Sequence, residues 1–269
     1  MKTPITYYGG KQLLARTIIG MIPTHKVYCE PYFGGGAVFF EKGKSYLESI
    51  NDINDRLMIF WECLRDNYEE LYDLIKNTLH SEYQYRKAKN IYLGKIKASK
   101  VQIAWSGWVQ TNLSFAATPK GGWKWDNGTA GSHIGITCAQ YRNQITAALS
   151  KRLENVQISS RSAIDVIKER DADYTFFYLD PPYPGCNQKH YSGFTDKDLD
   201  ELLDVLENIK GKFILSNYGR DCLVKRIKKC GWNYTTKEMA LKCANFHNKS
   251  RTKTEFLVWN YELEPDLFR

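Results

Sequence analysis

The sequence predicts an α/β fold: a largely parallel sheet with helices on both faces, interrupted by a long insertion. Three observations carry this reading. Short apolar runs that read as buried strands stand at residues 27–29, 46–50, 156–158, 174–179, 212–216 and 255–261. Helical patterns separate several of them. The clearest follows Thr195, where Thr-Asp-Lys-Asp has the form of a capping box and Leu199, Leu202, Leu203, Leu206 and Ile209 recur at helical spacing. Strands alternating with helices imply crossover connections and a sheet covered on both sides. The alternation breaks only at residues 56–150, which read as the insertion, leaving residues 1–55 and 151–269 as one catalytic domain.

In chain order, the first feature is VYCEPYFGGGAVFFEK, residues 27–42. A buried strand ends in Glu30-Pro31 and runs through Tyr32 into Gly34-Gly35-Gly36 and an apolar helix start. This puts a glycine turn at the carboxyl edge of a strand, where open α/β sheets bind nucleotides. The spacing is neither that of a dinucleotide fingerprint nor that of a triphosphate loop, and a structural hinge is the plain alternative. One strand later, YLESINDIND ends its apolar run at Asn51-Asp52. A carboxylate there can accept both hydroxyls of a ribose, or Asp52 or Asn54 simply caps the next helix.

The insertion begins with helices whose apolar positions are Leu57, Phe60, Trp61, Leu64, Leu71, Leu74 and Ile75. It continues into a Gly-, Trp-, Asn- and Thr-rich stretch holding Trp105, Trp108, Trp123 and Trp125, four of the seven tryptophans. Gly121-Gly122 and Asn127-Gly128 signal turns.

The most specific feature is YTFFYLDPPYPG, residues 174–185. An apolar strand runs straight into Asp180-Pro181-Pro182-Tyr183. Two prolines can neither continue a ladder nor enter a helix interior, so the chain leaves the sheet stiff and extended. The Asp180 side chain, the Pro181 carbonyl and the Tyr183 ring are thereby fixed as one constellation.

Composition bounds the partners. The 269 residues carry 38 Lys and Arg against 30 Asp and Glu, a net charge of +8, and are 43% hydrophobic and 14% aromatic. Such a chain can bury a core, and its charge suits a polyanionic partner. The basic excess is localised: residues 220–253 hold ten basic and two acidic residues, residues 82–100 six against one, and residues 165–207 four against eleven. The seven cysteines are scattered without a C-x-x-C pair and the five histidines are dispersed, which predicts reduced thiols and no metal site. No run approaches the ~18 apolar residues of a membrane span, and the N-terminus lacks the apolar core of a signal peptide. A soluble, cytoplasmic protein is expected.

Taken together, these blocks resemble the DNA adenine-N6 methyltransferases of the Dam type, alpha group. YYGGK at residues 7–11 resembles the N-terminal cofactor motif, EPYFGGG the glycine motif, NDIN the ribose motif and DPPY the catalytic motif. LSNY at residues 215–218 and RTKTEFLVWNY resemble the late strands. The resemblance implies a Rossmann-like methyltransferase sheet, S-adenosylmethionine as cofactor and double-stranded DNA as substrate. It further implies that Tyr7, Lys11, Tyr32, Gly34, Gly36, Asp52 and Asp180 surround the cofactor and that Asp180, Pro181, Pro182 and Tyr183 surround a flipped adenine. Ser162 stands where many relatives carry an acid that contacts the cofactor adenine. Target reading falls to the insertion, with Gln110, Asn112, Lys120 and Lys124 as groove-facing candidates. The family context also allows a cognate restriction endonuclease as partner, bacterial or phage origin, and action as a monomer. Asp180 favours adenine over cytosine-N4, and no Pro-Cys nucleophile serves cytosine-C5 chemistry. Cytosine-N4 methylation, RNA amine methylation and a non-catalytic DNA-binding relative are the alternatives.

Overall fold

The computed structural model describes residues 1–7, 9–115, 121–128, 133–184, 193–240 and 252–263. The helices are α1 (Ala15–Met21), α2 (Ala37–Glu41), α3 (Asp55–Asp66), α4 (Tyr68–Lys76), α5 (Glu82–Tyr92), α6 (Lys100–Leu113), α7 (Ile134–Asn143), α8 (Ala147–Leu153), α9 (Ala163–Arg170), α10 (Asp196–Asn208) and α11 (Asp221–Cys230). The strands are β1 (Val27–Glu30), β2 (Leu47–Asn51), β3 (Val156–Ser159), β4 (Thr175–Leu179), β5 (Lys212–Tyr218), β6 (Asn233–Ala240) and β7 (Thr252–Trp259). They form one seven-stranded sheet in the order β3-β2-β1-β4-β5-β7-β6.

All six expected strands are present, and β6 is additional. Strands β1, β4 and β5 pair in parallel, as crossover helices require, whereas β7 runs antiparallel to both β5 and β6. Sequence reasoning misses β6 because it is an edge strand with Thr236, Lys237 and Glu238 exposed, so no apolar alternation marks it. The capping box at Thr195 is complete, and α10 buries Leu199, Leu202, Leu203 and Leu206.

The chain divides into two compact units. One comprises Met1–Ile19, Phe33–Lys44 and Ile50–Arg161; the other comprises Gly20–Tyr32, Ser45–Ser49 and Ser162–Arg269. The division differs from an insertion over residues 56–150, because the inserted helices pack with the N-terminal segment and the glycine turn. In the first unit Phe33, Phe39, Phe40 and Trp61 form a ring cluster with centroids 5.1–6.3 Å apart. The Arg152 guanidinium lies 3.8 Å over Phe39. Helix α6 is buried almost all round, from Ala104 to Leu113. Its Asn112 makes a two-pronged clamp on the N-terminal segment: the side-chain Oδ1 accepts from Thr6 N at 2.9 Å and Nδ2 donates to Pro4 O at 3.2 Å.

In the second unit, Cys29, Phe177, Leu179, Phe213, Leu215 and Val258 bury one face of the sheet under α9, α10 and α11. Period-two alternation turns Tyr28, Glu30, Tyr178, Asp180 and Ser216 to the other face. Ion pairs join α10 to α11: Arg226 reaches Asp200, Asp204 and Glu207, Lys229 reaches Glu207, and Arg220 reaches Asp196.

Candidate active site

The glycine turn follows from its dihedrals. Gly34 and Gly36 have φ of 49° and 65°, the left-handed region that side chains disfavour. A Cβ on Gly34 would stand 2.9 Å from the Tyr7 ring, and one on Gly36 would stand 2.5 Å from the Phe33 ring. The turn is pinned by Phe33 N to Asn51 O at 2.8 Å, by Trp61 Nε1 to Gly34 O at 3.2 Å, and by a hydrogen bond from Thr3 Oγ1 to Gly35 O. The Tyr7 ring lies against Gly34 and Gly35, and the Phe33 and Phe40 rings lie against Gly36.

Beneath the turn sits Asp52. Its Oδ2 accepts from Gly34 N at 2.9 Å and its Oδ1 from Asn54 N at 3.0 Å. Burial raises its carboxyl to about 6, against the lowering effect of those two N–H bonds. Asn54 also lines a cleft with Ile5, Tyr7, Arg56, Tyr92 and Thr111. Each Asp52 oxygen keeps a second lone pair. Asp52 therefore has acceptor capacity suited to the ribose hydroxyls of S-adenosylmethionine, next to Asn54, which lines the cleft. Lys11 is buried and donates through Nζ to Gly9 O at 2.9 Å. Ser162 is exposed at the start of α9 and makes no capping bond, and Asp165 is exposed as well. The Asn51 Oδ1 gathers Ser159 Oγ and Arg161 N.

In the second unit, β4 delivers Asp180 at its carboxyl end, with Pro181 buried and Tyr183 only 9% exposed. The Tyr183 hydroxyl stands 3.0 Å from Asp180 Oδ1 and 2.9 Å from Glu255 Oε1. Its ring meets Tyr218 edge-on at 4.5 Å. Burial, then the charges of Asp180 and Glu255, raise the phenol well above its usual range, so it keeps its proton at neutral pH. Along the same edge Tyr28 donates to Glu30 Oε2 at 2.8 Å, and the Tyr178 and Ser216 hydroxyls lie 3.2 Å apart. Tyr32 packs at the border of the apolar core. Glu255 escapes sequence reasoning. Its one signal is a lone acid heading the apolar run FLVW.

Two of the four groove-facing candidates are buried. Gln110 and Asn112 are 0% and 2% exposed, because α6 is the central helix of its unit and Asn112 is committed to Pro4 and Thr6. Neither side chain is on the surface. Lys124 is partly exposed on a strip whose backbone pairs with Leu113, and Lys120 lies outside the described residues. Trp105 bonds Thr78 and Trp123 stacks on His80, so these two tryptophans serve packing. Arg226 and Lys229 are paired with α10 carboxylates. Among the described residues, no three His, Cys, Asp or Glu side chains gather to hold a metal, and no helix is long and apolar enough to cross a membrane.

The chain is similar to known proteins. The model of the D12 class of N6 adenine-specific DNA methyltransferases matches residues 7–254. Type II methyltransferase M1.LlaDCHI of Lactococcus lactis subsp. cremoris is 27% identical over 94% of this chain and 93% of its own length. Type II methyltransferase M.MjaIII of Methanocaldococcus jannaschii is 23% identical over 75% of this chain and 76% of its own. A solved structure, precorrin 8W decarboxylase from Methanobacterium thermoautotrophicum, superposes with a TM-score of 0.41 at 10% identity, covering 97% of this chain and 96% of that one. With the family model matched over nearly the whole chain, this protein belongs to the D12 class of N6 adenine-specific DNA methyltransferases and methylates adenine N6 in DNA.

Proposed function

We propose that the chain transfers the methyl group of S-adenosylmethionine to the N6 amine of an adenine flipped out of duplex DNA. The observation that carries the residue assignment is Asp180, held at the end of β4 with its Oδ1 3.0 Å from the Tyr183 hydroxyl. An exocyclic adenine amine is a weak nucleophile because its lone pair is delocalised into the ring. The Asp180 carboxylate and the Pro181 carbonyl accept hydrogen bonds from its two N–H groups, which favours a pyramidal nitrogen with its lone pair directed outward. Pro182 stiffens the turn so that both acceptors stay fixed. The Tyr183 ring bounds the slot for the flipped base. When bound, S-adenosylmethionine supplies an electrophilic methyl group on a sulfonium. Asp52 would accept the ribose hydroxyls, Gly34 and Gly36 would hold the turn tight against Tyr7 and Phe33 beside it, and Tyr7 and Lys11 would cover the chain end. Direct transfer needs no covalent enzyme intermediate, so the contribution of these residues is position and orientation.

The DNA contacts belong to the basic segments. Lys87, Lys95 and Lys97 are exposed in the first unit, and Lys225 and Lys228 on α11; these cations can meet phosphates. We assign the enzyme to a type II restriction–modification pair, in line with the names of the two relatives given above, and to action as a monomer. Tritiated methyl transfer from S-adenosylmethionine to duplex DNA, followed by digestion to nucleosides, tests the reading. Label is expected in N6-methyladenine, and label in a methylated cytosine refutes it. Asp180→Ala is expected to abolish transfer while the thermal midpoint stays within a few degrees. Near-normal turnover in that variant overturns the assignment.

A further inference from the structure

We propose that Glu255 on β7 is a positioning residue for methyl transfer, holding the Asp180 carboxylate in register through the Tyr183 hydroxyl. The inference rests on the assignment of Asp180 to the amine. Three oxygens form a line: Asp180 Oδ1, Tyr183 Oη at 3.0 Å, and Glu255 Oε1 at 2.9 Å from that hydroxyl. The strand ladder sets the far end of the line, because β5 and β7 pair in antiparallel register from Ile214↔Trp259 to Tyr218↔Glu255. Tyr218, opposite Glu255, also backs the Tyr183 ring. The turn after β4 is therefore tied through one hydroxyl to a strand two places away in the sheet.

Burial argues that this acid has a use. Glu255 is 5% exposed and heads a run in which Leu257, Val258 and Trp259 are core. A carboxyl group out of water is costly unless it is well hydrogen-bonded. The Tyr183 hydroxyl is one partner that meets this demand, and through it the Glu255 carboxyl is linked to Asp180. The hydroxyl has one proton and two carboxyl neighbours, so moving or deleting either neighbour reorients it. A carboxylate that must meet a single N–H within hydrogen-bond reach is sensitive to such a change, since misplacement by about 1 Å can lower a rate about 100-fold.

The test is the single-turnover rate of methyl transfer to duplex DNA at saturating S-adenosylmethionine. It is measured in the wild type and in Glu255→Leu, Glu255→Gln, Tyr183→Phe, the Leu/Phe double variant and Asp180→Ala. Binding of S-adenosylhomocysteine by calorimetry and thermal melting are measured alongside. Glu255→Leu is expected to slow transfer about 10- to 100-fold, with the DNA concentration at half-saturation and the S-adenosylhomocysteine affinity within about twofold of wild type. Glu255→Gln keeps a hydrogen-bonding group of the same length and is expected to recover all but about threefold of the rate. The double variant is expected to be no slower than Tyr183→Phe alone, because the two residues act through one bond. Glu255→Leu within about threefold of wild type overturns the inference, as do losses that multiply in the double variant. If Glu255→Leu fails to melt cooperatively, Tyr183→Phe decides. It removes only the hydroxyl, and a rate within about threefold of wild type overturns the inference. An active Asp180→Ala enzyme brings down the Asp180 assignment itself. An inactive one beside an unimpaired Glu255→Leu removes only the role of Glu255.

Discussion

Asp52→Asn removes a pH dependence that the wild-type protein carries in two measurable quantities of opposite sign. The Asp52 carboxyl is raised by burial from 3.8 to about 6 in the folded protein, while in the unfolded chain an aspartate titrates near about 3.9. Between these values the folded protein keeps a proton that the unfolded chain has released, so stability is present at acid pH and is lost as the pH rises through the window. At about 1.36 kcal/mol per unit, ionising Asp52 in the cofactor-free protein removes about 3 kcal/mol of stability by a pH of about 7.5, roughly half of it above pH 5. Urea titrations of both proteins at several pH values should therefore show the difference in unfolding free energy moving in favour of the asparagine variant by about 1.5 kcal/mol from pH 5 to 7.5. Ribose hydroxyls donate to the ionised carboxylate, so cofactor binding runs the other way. The affinity of the wild type for S-adenosylhomocysteine should tighten as the pH rises towards about 6 and level off above about 7, and the variant should bind weakly throughout. Parallel stability curves, or a wild-type affinity that is flat from pH 5 to 7.5, would refute both the burial argument and the ribose assignment.

Three further outcomes follow from the geometry. Gly36→Ala places a methyl group at a φ of 65° and 2.5 Å from Phe33, and should cost at least about 2 kcal/mol of stability, read as a lowered thermal midpoint. Gly43→Ala, where an added Cβ meets nothing within 4 Å, is the comparison, and equal midpoints in the two variants refute the close-packing argument. Arg226→Ala should lower the thermal midpoint and leave the salt dependence of DNA affinity unchanged, because its guanidinium serves Asp204 and Glu207 at 2.6 and 2.7 Å. Neutralising Lys225 and Lys228 should flatten that dependence by up to about 0.9 for each phosphate they neutralise; a flatter slope in Arg226→Ala, or an unchanged one in the lysine variant, goes against this division.

What could be read from the chain is what local chemistry dictates. The Thr195 box, the apolar run into Asp180-Pro181-Pro182 and the glycines at positions 34 and 36 announce themselves because a cap, a proline or a left-handed dihedral constrains few residues at a time. Long-range pairing leaves no such mark. Gln110 and Asn112 resemble groove readers because amides among aromatics do, yet the helix that carries them is central to its unit and the bonds of Asn112 lie more than a hundred residues back along the chain. Arg226 and Lys229 in the basic run on α11 resemble phosphate ligands until the acids of α10 are placed against them. Glu255 gains meaning only when the β5–β7 register sets it beside Tyr183. In each case the side chain was visible and its partner was not.

The Asn112 clamp bears on how new target specificities can be built. The polypeptide suggests a cassette in residues 56–150 that could be exchanged between relatives. The fold assigns Asn112, inside that cassette, to hold Pro4 and Thr6 outside it, just ahead of Tyr7. A chimera cut at the ends of the cassette would pair one parent's α6 with another's N-terminal segment and leave a mismatched joint next to the glycine turn. The cassette and the N-terminal segment should therefore travel together, and productive crossovers should carry residues 1–19 with the helices that grip them.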